Sequence, residues 1–114
     1  MQKLFYRVGT ETVEGLWYNK KGEFTGLIHT EFNWCNASKL EMPFDNELVG
    51  YLSVADSLEH LYSWFTKEEI FKLQELGFSV YEYISDNFKF YEKYQHNVIS
   101  QETSLIHNKI HLLQ

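Results

Sequence analysis

Residues 50–77 carry the strongest local folding signals in the chain, because capping residues, apolar spacing and a closing glycine all agree there. After a short strand at the start of this stretch, Asp56 is predicted to cap a helix, with Glu59 at the spacing of a capping box. Apolar side chains then recur at the i, i+3, i+4 and i+7 positions of one helix face: Leu58, Leu61, Tyr62 and Phe65. The middle of the chain must therefore place a helix against its core.

A second helix is predicted to begin directly afterwards. Thr66 and Glu69 repeat the capping-box spacing, and Gly77 can adopt the left-handed conformation that ends many helices. The side predicted to be buried consists of Ile70, Leu73 and Leu76. Two short helices joined by a sharp turn thus occupy the centre of the sequence.

Strand signals lie on both sides of these helices. Before them we predict strands at 4–8, 16–18 and 24–29, the last two joined by a turn at 19–22, with loops at 11–15 and 33–46. After them we predict strands at 78–84, 97–99 and 105–113, the last with one wet side, and a segment 88–94 that is either extended or helical. The fold class is therefore α+β, a small mixed or antiparallel sheet with two short central helices in one domain, 1–114.

Charge and cysteine content narrow the possible partners. Ten Lys and Arg against sixteen Asp and Glu give a net charge of -6, which disfavours binding to nucleic acid. We expect no membrane segment and no signal peptide, because no apolar run is long enough. The single cysteine, Cys35, cannot form an internal disulfide, and we expect an inert thiol and a cytoplasmic protein.

Arg7 and Glu102 are the charged residues whose predicted positions favour a site. Arg7 interrupts an aromatic strand, where its five donors need either a carboxylate or a ligand. Glu102 lies in a turn between two late strands, where it is either a solvated side chain or a carboxylate directed into a cleft. Ser53, at a junction of strand and helix, either helps to cap the helix or contacts a ligand.

Metal and thiol chemistry lack a supporting pattern. His107 and His111 are four residues apart, but the segment between them has no glutamate of the kind found in hydrolytic zinc motifs. No sequence signal brings a histidine beside Cys35. We therefore expect no metal cofactor.

Several short motifs resemble a group of small phage and prophage proteins. These are Tyr6-Arg7-Val8 on the first strand, Tyr51-Leu52-Ser53 before a helix that ends in Trp64-Phe65, and the strand that begins Gly77-Phe78. The layout in turn resembles a minimal ADP-ribosyltransferase-like fold. In that larger family an arginine on the first strand, a serine on a middle strand and a glutamate before a late strand line the cleft for NAD.

The resemblance implies a nucleotide site and a role for each residue. Arg7 would hold a phosphate or ribose, Ser53 would anchor the ribose next to the nicotinamide, and Tyr6 and Tyr51 would line the cleft. Glu102 would be catalytic, stabilising positive charge on the sugar if the protein transfers ADP-ribose. The implied ligand is NAD or an ADP-ribose derivative, and the implied role is that of a phage accessory protein in host takeover or counter-defence, acting in the host cytosol.

The composition also favours a function without any ligand. An acidic surface rich in Tyr and Trp suits a non-enzymatic inhibitor or adaptor that blocks a basic host protein. The two hypotheses differ in where the important residues lie, in a cleft or on an outer face.

Overall fold

The computed structural model describes residues 1–40 and 45–113. Two α-helices and six β-strands occur in this part of the chain. In chain order they are β1 (Lys3–Gly9), β2 (Tyr51–Val54), α1 (Leu58–Trp64), α2 (Lys67–Glu75), β3 (Ser79–Ser85), β4 (Phe88–Tyr91), β5 (His96–Ser100) and β6 (Leu105–Ile110). The α+β class and the two central helices are confirmed.

The strands form two antiparallel sheets where the sequence predicted one. One sheet has the order β1-β3-β6 and the other β2-β5-β4. They are joined by a bridge between Tyr6 and Ala55, whose backbone N–H and C=O groups exchange hydrogen bonds of 2.9 and 2.8 Å. This bridge connects residues far apart in sequence, so local patterns could not predict the division into two sheets.

Strands β1 and β3 contact apolar clusters on both faces of their sheet. On one face, Phe5, Tyr81 and Tyr83 contact a cluster from the second sheet, Leu52, Val54 and Ile99. On the other face, Val8 and Val80 contact the apolar sides of both helices: Leu61, Phe65, Ile70 and Leu73. Since side chains alternate along a strand, Phe5 and Val8 of β1 pack in different clusters on opposite faces of the sheet.

The cap of α2 matches the prediction, and the cap of α1 does not. Thr66 and Glu69 form a complete capping box, and Gly77 ends α2 with φ 96°. In α1 the cap is Ser57, whose hydroxyl accepts from the His60 N–H at 3.0 Å, while Asp56 pairs with the His60 ring. Ser and Asp both cap helices well. The helix begins one residue later than predicted, so Ser57 and not Asp56 is at the cap position. Leu76, predicted to be buried, is 59% exposed because it lies at the helix end.

Several predicted strands are shorter than expected or absent. Residues 27–29 form a 3₁₀ helix after Gly26, which has a left-handed φ of 61°, and the 16–29 hairpin is reduced to one bridge between Tyr18 and Phe24. The predicted loop 33–46 contains short 3₁₀ helices at Asn36–Lys39 and Asn46–Leu48, and its residues 41–44 lie outside the described part. After Tyr91 the chain turns, with Gln95 at φ 58°.

Strand β6 lies at an edge and is exposed on both faces over most of its length, where one wet side was predicted. The pairing shifts between Glu82 and Tyr83 of β3, so that His107 is an extra residue in β6. Such a bulge interrupts the alternation of side chains, on which the prediction relied.

Candidate ligand-binding site

A pocket lies where β1, β2 and α1 meet the loop that follows β1. We call it the aromatic pocket, because seven rings line it: Trp17, Tyr18, Phe24, Tyr51, Trp64, Phe65 and Tyr94. Arg7 and Ser53 add polar groups to the lining. Its cavity volume is about 40 Å³, enough for a few water molecules. The walls are therefore close together in this structure.

Arg7 reaches the pocket from β1 and organises the loop that follows. Its Nη1 donates to the carbonyl oxygens of Thr10 and Thr12, both at 3.1 Å, and to the Tyr83 hydroxyl at 3.3 Å. Its Nη2 donates to the carbonyl oxygens of Val13 and Glu14 at 2.9 and 3.0 Å. Among the described residues no carboxylate forms an ion pair with it. The sequence left open whether Arg7 forms a salt bridge or contacts a ligand. In the structure its partners are mainly backbone carbonyls and not a carboxylate.

Two glycines allow the loop to close around this guanidinium. Gly9 and Gly15 pair with each other across the loop. A Cβ on Gly9 would lie 2.7 Å from Cζ of Arg7, and a Cβ on Gly15 would lie 2.6 Å from Nη2. A side chain at either position would displace the guanidinium from its hydrogen bonds, so glycine at both positions is matched to Arg7.

One donor of Arg7 is left for a ligand. The Nε–H has no hydrogen-bond partner in the described part of the chain, and it is not fully buried. Arg7 is 9% exposed and lines a pocket with few other polar residues.

Strand β2 supplies the other predicted residues that line the pocket. Tyr51 and Ser53 alternate with the buried Leu52 and Val54, so they share one face of the strand, and both line the pocket together with Leu52. The Ser53 hydroxyl forms no hydrogen bond with the described residues, so the helix-capping alternative is wrong and the group is available. The structure thus brings Arg7, Tyr51 and Ser53 to one pocket.

Tyr6 and Glu102 do not line this pocket. Tyr6 projects from the opposite face of β1 to Arg7, and its hydroxyl donates to Glu82 at 2.8 Å. Glu102 is exposed in the turn between β5 and β6. Its neighbour Gln101 contacts β2, where its side-chain amide lies 3.5 Å from the carbonyl oxygen of Tyr51.

A row of rings in edge-to-face and tilted contact supports one wall of the pocket. Trp64 lies between the rings of His60 and His96, at centroid distances of 4.7 and 5.0 Å, and His96 also contacts Tyr94 at 5.5 Å. His96 is 2% exposed, and its Nε2 has no hydrogen-bond partner within residues 1–40 and 45–113. Burial, helped by the nearby His60, lowers the pKa of His96 to about 4. The wall therefore rests on a neutral imidazole.

Two tyrosines of the pocket, Tyr18 and Tyr94, remain protonated over the physiological range. Burial raises the pKa of Tyr94 to about 12, and burial together with the charge of Asp45 also raises the pKa of Tyr18. Asp45 itself accepts hydrogen bonds from the Tyr91 hydroxyl and from Lys93. The pocket thus offers neutral hydroxyl groups and ring faces.

Trp17 adds a feature that the sequence did not reveal. Its indole Nε1–H is buried and has no acceptor in the described part of the chain. A buried donor without a partner costs about 1–3 kcal/mol, so an acceptor at this position would be favoured. The aromatic residues of the segment 16–24 are the sequence feature that could have indicated this part of the pocket, but their pattern also predicts a hairpin.

The thiol and the imidazoles outside the pocket lie in different surroundings. Cys35 is buried, and burial raises the pKa of its thiol to about 12, which makes it a poor nucleophile at neutral pH. Among the described residues no group of three or more His, Cys, Asp or Glu side chains is arranged to hold a metal ion.

Comparison with protein-family models, curated proteins and solved structures found no match to this chain. None of the helices in the described part is both long and apolar enough to cross a membrane. Arguments about function therefore rest on the pocket and the surface.

Proposed function

We propose that this protein has an ADP-ribosyltransferase-like fold and binds NAD or an ADP-ribose-type nucleotide in the aromatic pocket. The observation that carries the proposal is that Arg7, Tyr51 and Ser53 line one pocket whose remaining walls are mostly aromatic rings. Ring faces stack on a nucleobase or nicotinamide, while a hydroxyl and a guanidinium suit a ribose and its phosphate.

The order of the residues along the fold adds support. Arg7 lies on β1, Ser53 on β2 and Glu102 in the turn before β6, which is the arrangement that the resemblance implies. A role for Glu102 in ADP-ribose transfer remains part of the proposal, and it requires the 101–104 turn to approach the bound sugar. As a phage accessory protein, the chain would then modify a host target or sequester a nucleotide signal.

Binding requires the walls of the pocket to separate, because about 40 Å³ is far below the volume of a nucleotide. The segment 18–26 is the wall that we expect to move. Backbone hydrogen bonds hold it closed, such as those from Thr25 and Gly26 N–H to the carbonyl oxygen of Trp17. We therefore expect slow association, limited by opening of this loop.

Calorimetric titration with NAD, ADP-ribose and cyclic ADP-ribose tests the proposal. We expect at least one of them to bind, and Tyr51→Ala to weaken its binding about tenfold, because base stacking on a ring is worth about 1–3 kcal/mol. Phe90→Ala is the matched control, since this ring is 55% exposed and does not line the pocket. If none of the three nucleotides gives heat of binding, the proposal fails.

A different surface feature favours the alternative, an inhibitor that binds a basic host protein. Leu4, Ile84 and Leu105 lie in register across the first sheet, and Leu4 and Leu105 are 40% and 67% exposed. This apolar row lies beside the free edge of β6 on a molecule of net charge -6. Exposed apolar groups next to an unpaired strand edge are typical of protein-binding surfaces.

The alternative predicts capture of one partner from bacterial lysate at low salt. Salt should weaken the capture, because charges more than about 10 Å apart are screened. Leu105→Lys should abolish the capture, whereas Val49→Lys, at a residue that is 68% exposed outside the row, should preserve it. Equal recovery by the two variants would contradict this function.

A further inference from the structure

A second hollow adjoins the aromatic pocket on the side of the turn 19–22. It has a volume of about 320 Å³, far larger than the aromatic pocket. The two cavities share Tyr18, Leu48 and Tyr51 in their walls. The two cavities are therefore neighbours, separated by these three residues.

The hollow is the more cationic of the two cavities. Lys20 and Lys21 both line it, and no carboxylate residue is among its lining residues. Neither ammonium group has a hydrogen bond or ion pair with the described residues. Glu23, the nearest acid in the turn, accepts instead from the Asn19 side chain at 2.9 Å.

The backbone around the two lysines leaves room for a bulky anion. Gly22 and Gly50 also line the hollow, with φ values of 79° and 85°. A Cβ added at either glycine would meet no atom within 4 Å. Two adjacent, unpaired cations beside open space are favourable for a phosphate group, which lysine binds as a point charge.

We propose that Lys20 and Lys21 form the phosphate subsite of the nucleotide site, an inference that rests on the proposed function. The Nη donors of Arg7 are bonded to backbone carbonyls, so the pair of lysines is the better source of charge for a pyrophosphate. The ligand class is thereby narrowed to phosphorylated nucleotides, whose ring enters the aromatic pocket and whose phosphates occupy the hollow.

The test compares ADP-ribose with adenosine, which lacks phosphate, by calorimetric titration of two double variants. In Lys20→Gln/Lys21→Gln, affinity for ADP-ribose should fall about tenfold, because two charge–phosphate contacts at exposed positions are removed. Affinity for adenosine should be unchanged. The matched control is Lys39→Gln/Lys67→Gln, which removes the same charge at residues outside both cavities.

The outcomes separate this inference from the function on which it rests. If the wild-type protein binds ADP-ribose and the Lys20→Gln/Lys21→Gln variant binds it equally well, the subsite is wrong and the nucleotide site stands. An equal loss in the control variant also overturns the subsite, since the effect would then come from net charge alone. If the wild-type protein binds no nucleotide, both proposals fail.

Discussion

Replacing Arg7 with methionine is expected to lower the free energy of unfolding by about 3 kcal/mol, as measured by urea denaturation. The substitution keeps an apolar stem but removes the guanidinium that donates to the loop 10–14. The loss is large because five hydrogen bonds are lost at once, and one of their acceptors, the Tyr83 hydroxyl, is buried in the core. Since the same loop leads into Trp17, we expect ligand binding to be lost as well.

Two further variants identify the cause of this effect. Arg7→Lys should recover part of the stability, because an ammonium keeps the charge and three donors but cannot reach all the carbonyls. Lys39→Met removes a cation from an exposed site and should change stability by less than about 0.5 kcal/mol. If Arg7→Met is equally mild, the loop does not depend on the guanidinium.

The stability of the protein is expected to decrease between about pH 6.5 and pH 4 because His96 is buried and neutral. Its pKa is lowered to about 4 in the folded protein, whereas an exposed histidine has a pKa near 6.5. As the pH falls through this window, the unfolded chain takes up a proton that the folded protein resists, so unfolding becomes more favourable. The two pKa values correspond to about 3 kcal/mol, fully present above about pH 6.5 and lost towards pH 4.

Carboxylates also titrate in this range, so the free energy of unfolding of the wild type is compared with that of a variant without His96. Relative to His96→Phe, the wild type should lose about 2.5 kcal/mol of stability between about pH 7.5 and pH 4.5. His111→Phe, at an exposed position, should show the wild-type profile. A direct NMR titration provides the second measurement: if the His96 ring titrates near its ordinary pKa of about 6.5, the account of this wall is wrong.

The parts of the fold that the sequence predicted are those with local causes. The capping box of Thr66 and Glu69 and the glycine end at Gly77 involve residues a few positions apart, and they form as predicted. Ser57 replaced Asp56 as the cap of α1 because neighbouring residues of similar capping strength cannot be ranked from their identities. The division into two sheets depends on the bridge between Tyr6 and Ala55, for which the sequence has no local signal.

The candidate site was predicted only in part, because some of its residues have local sequence signals and others do not. Arg7 is the only arginine of the chain and interrupts an aromatic strand, so its importance was evident, but its bonding to carbonyls depends on the path of a loop. Ser53 and Tyr51 followed from a resemblance. The contributions of Trp17 and Tyr94 depend on two connecting segments that converge only in three dimensions, and no spacing rule predicts such convergence.

The central claim, that the aromatic pocket receives the nucleotide, is tested most directly by the indole N–H signals of the three tryptophans in a ¹⁵N-labelled protein. Trp17 and Trp64 line the pocket, whereas Trp34 packs against Phe32 and Lys72 and does not line it. Addition of ADP-ribose should shift the signals of Trp17 and Trp64 and leave that of Trp34 in place. Unchanged signals at saturating ligand, or a shift confined to Trp34, would contradict the claim.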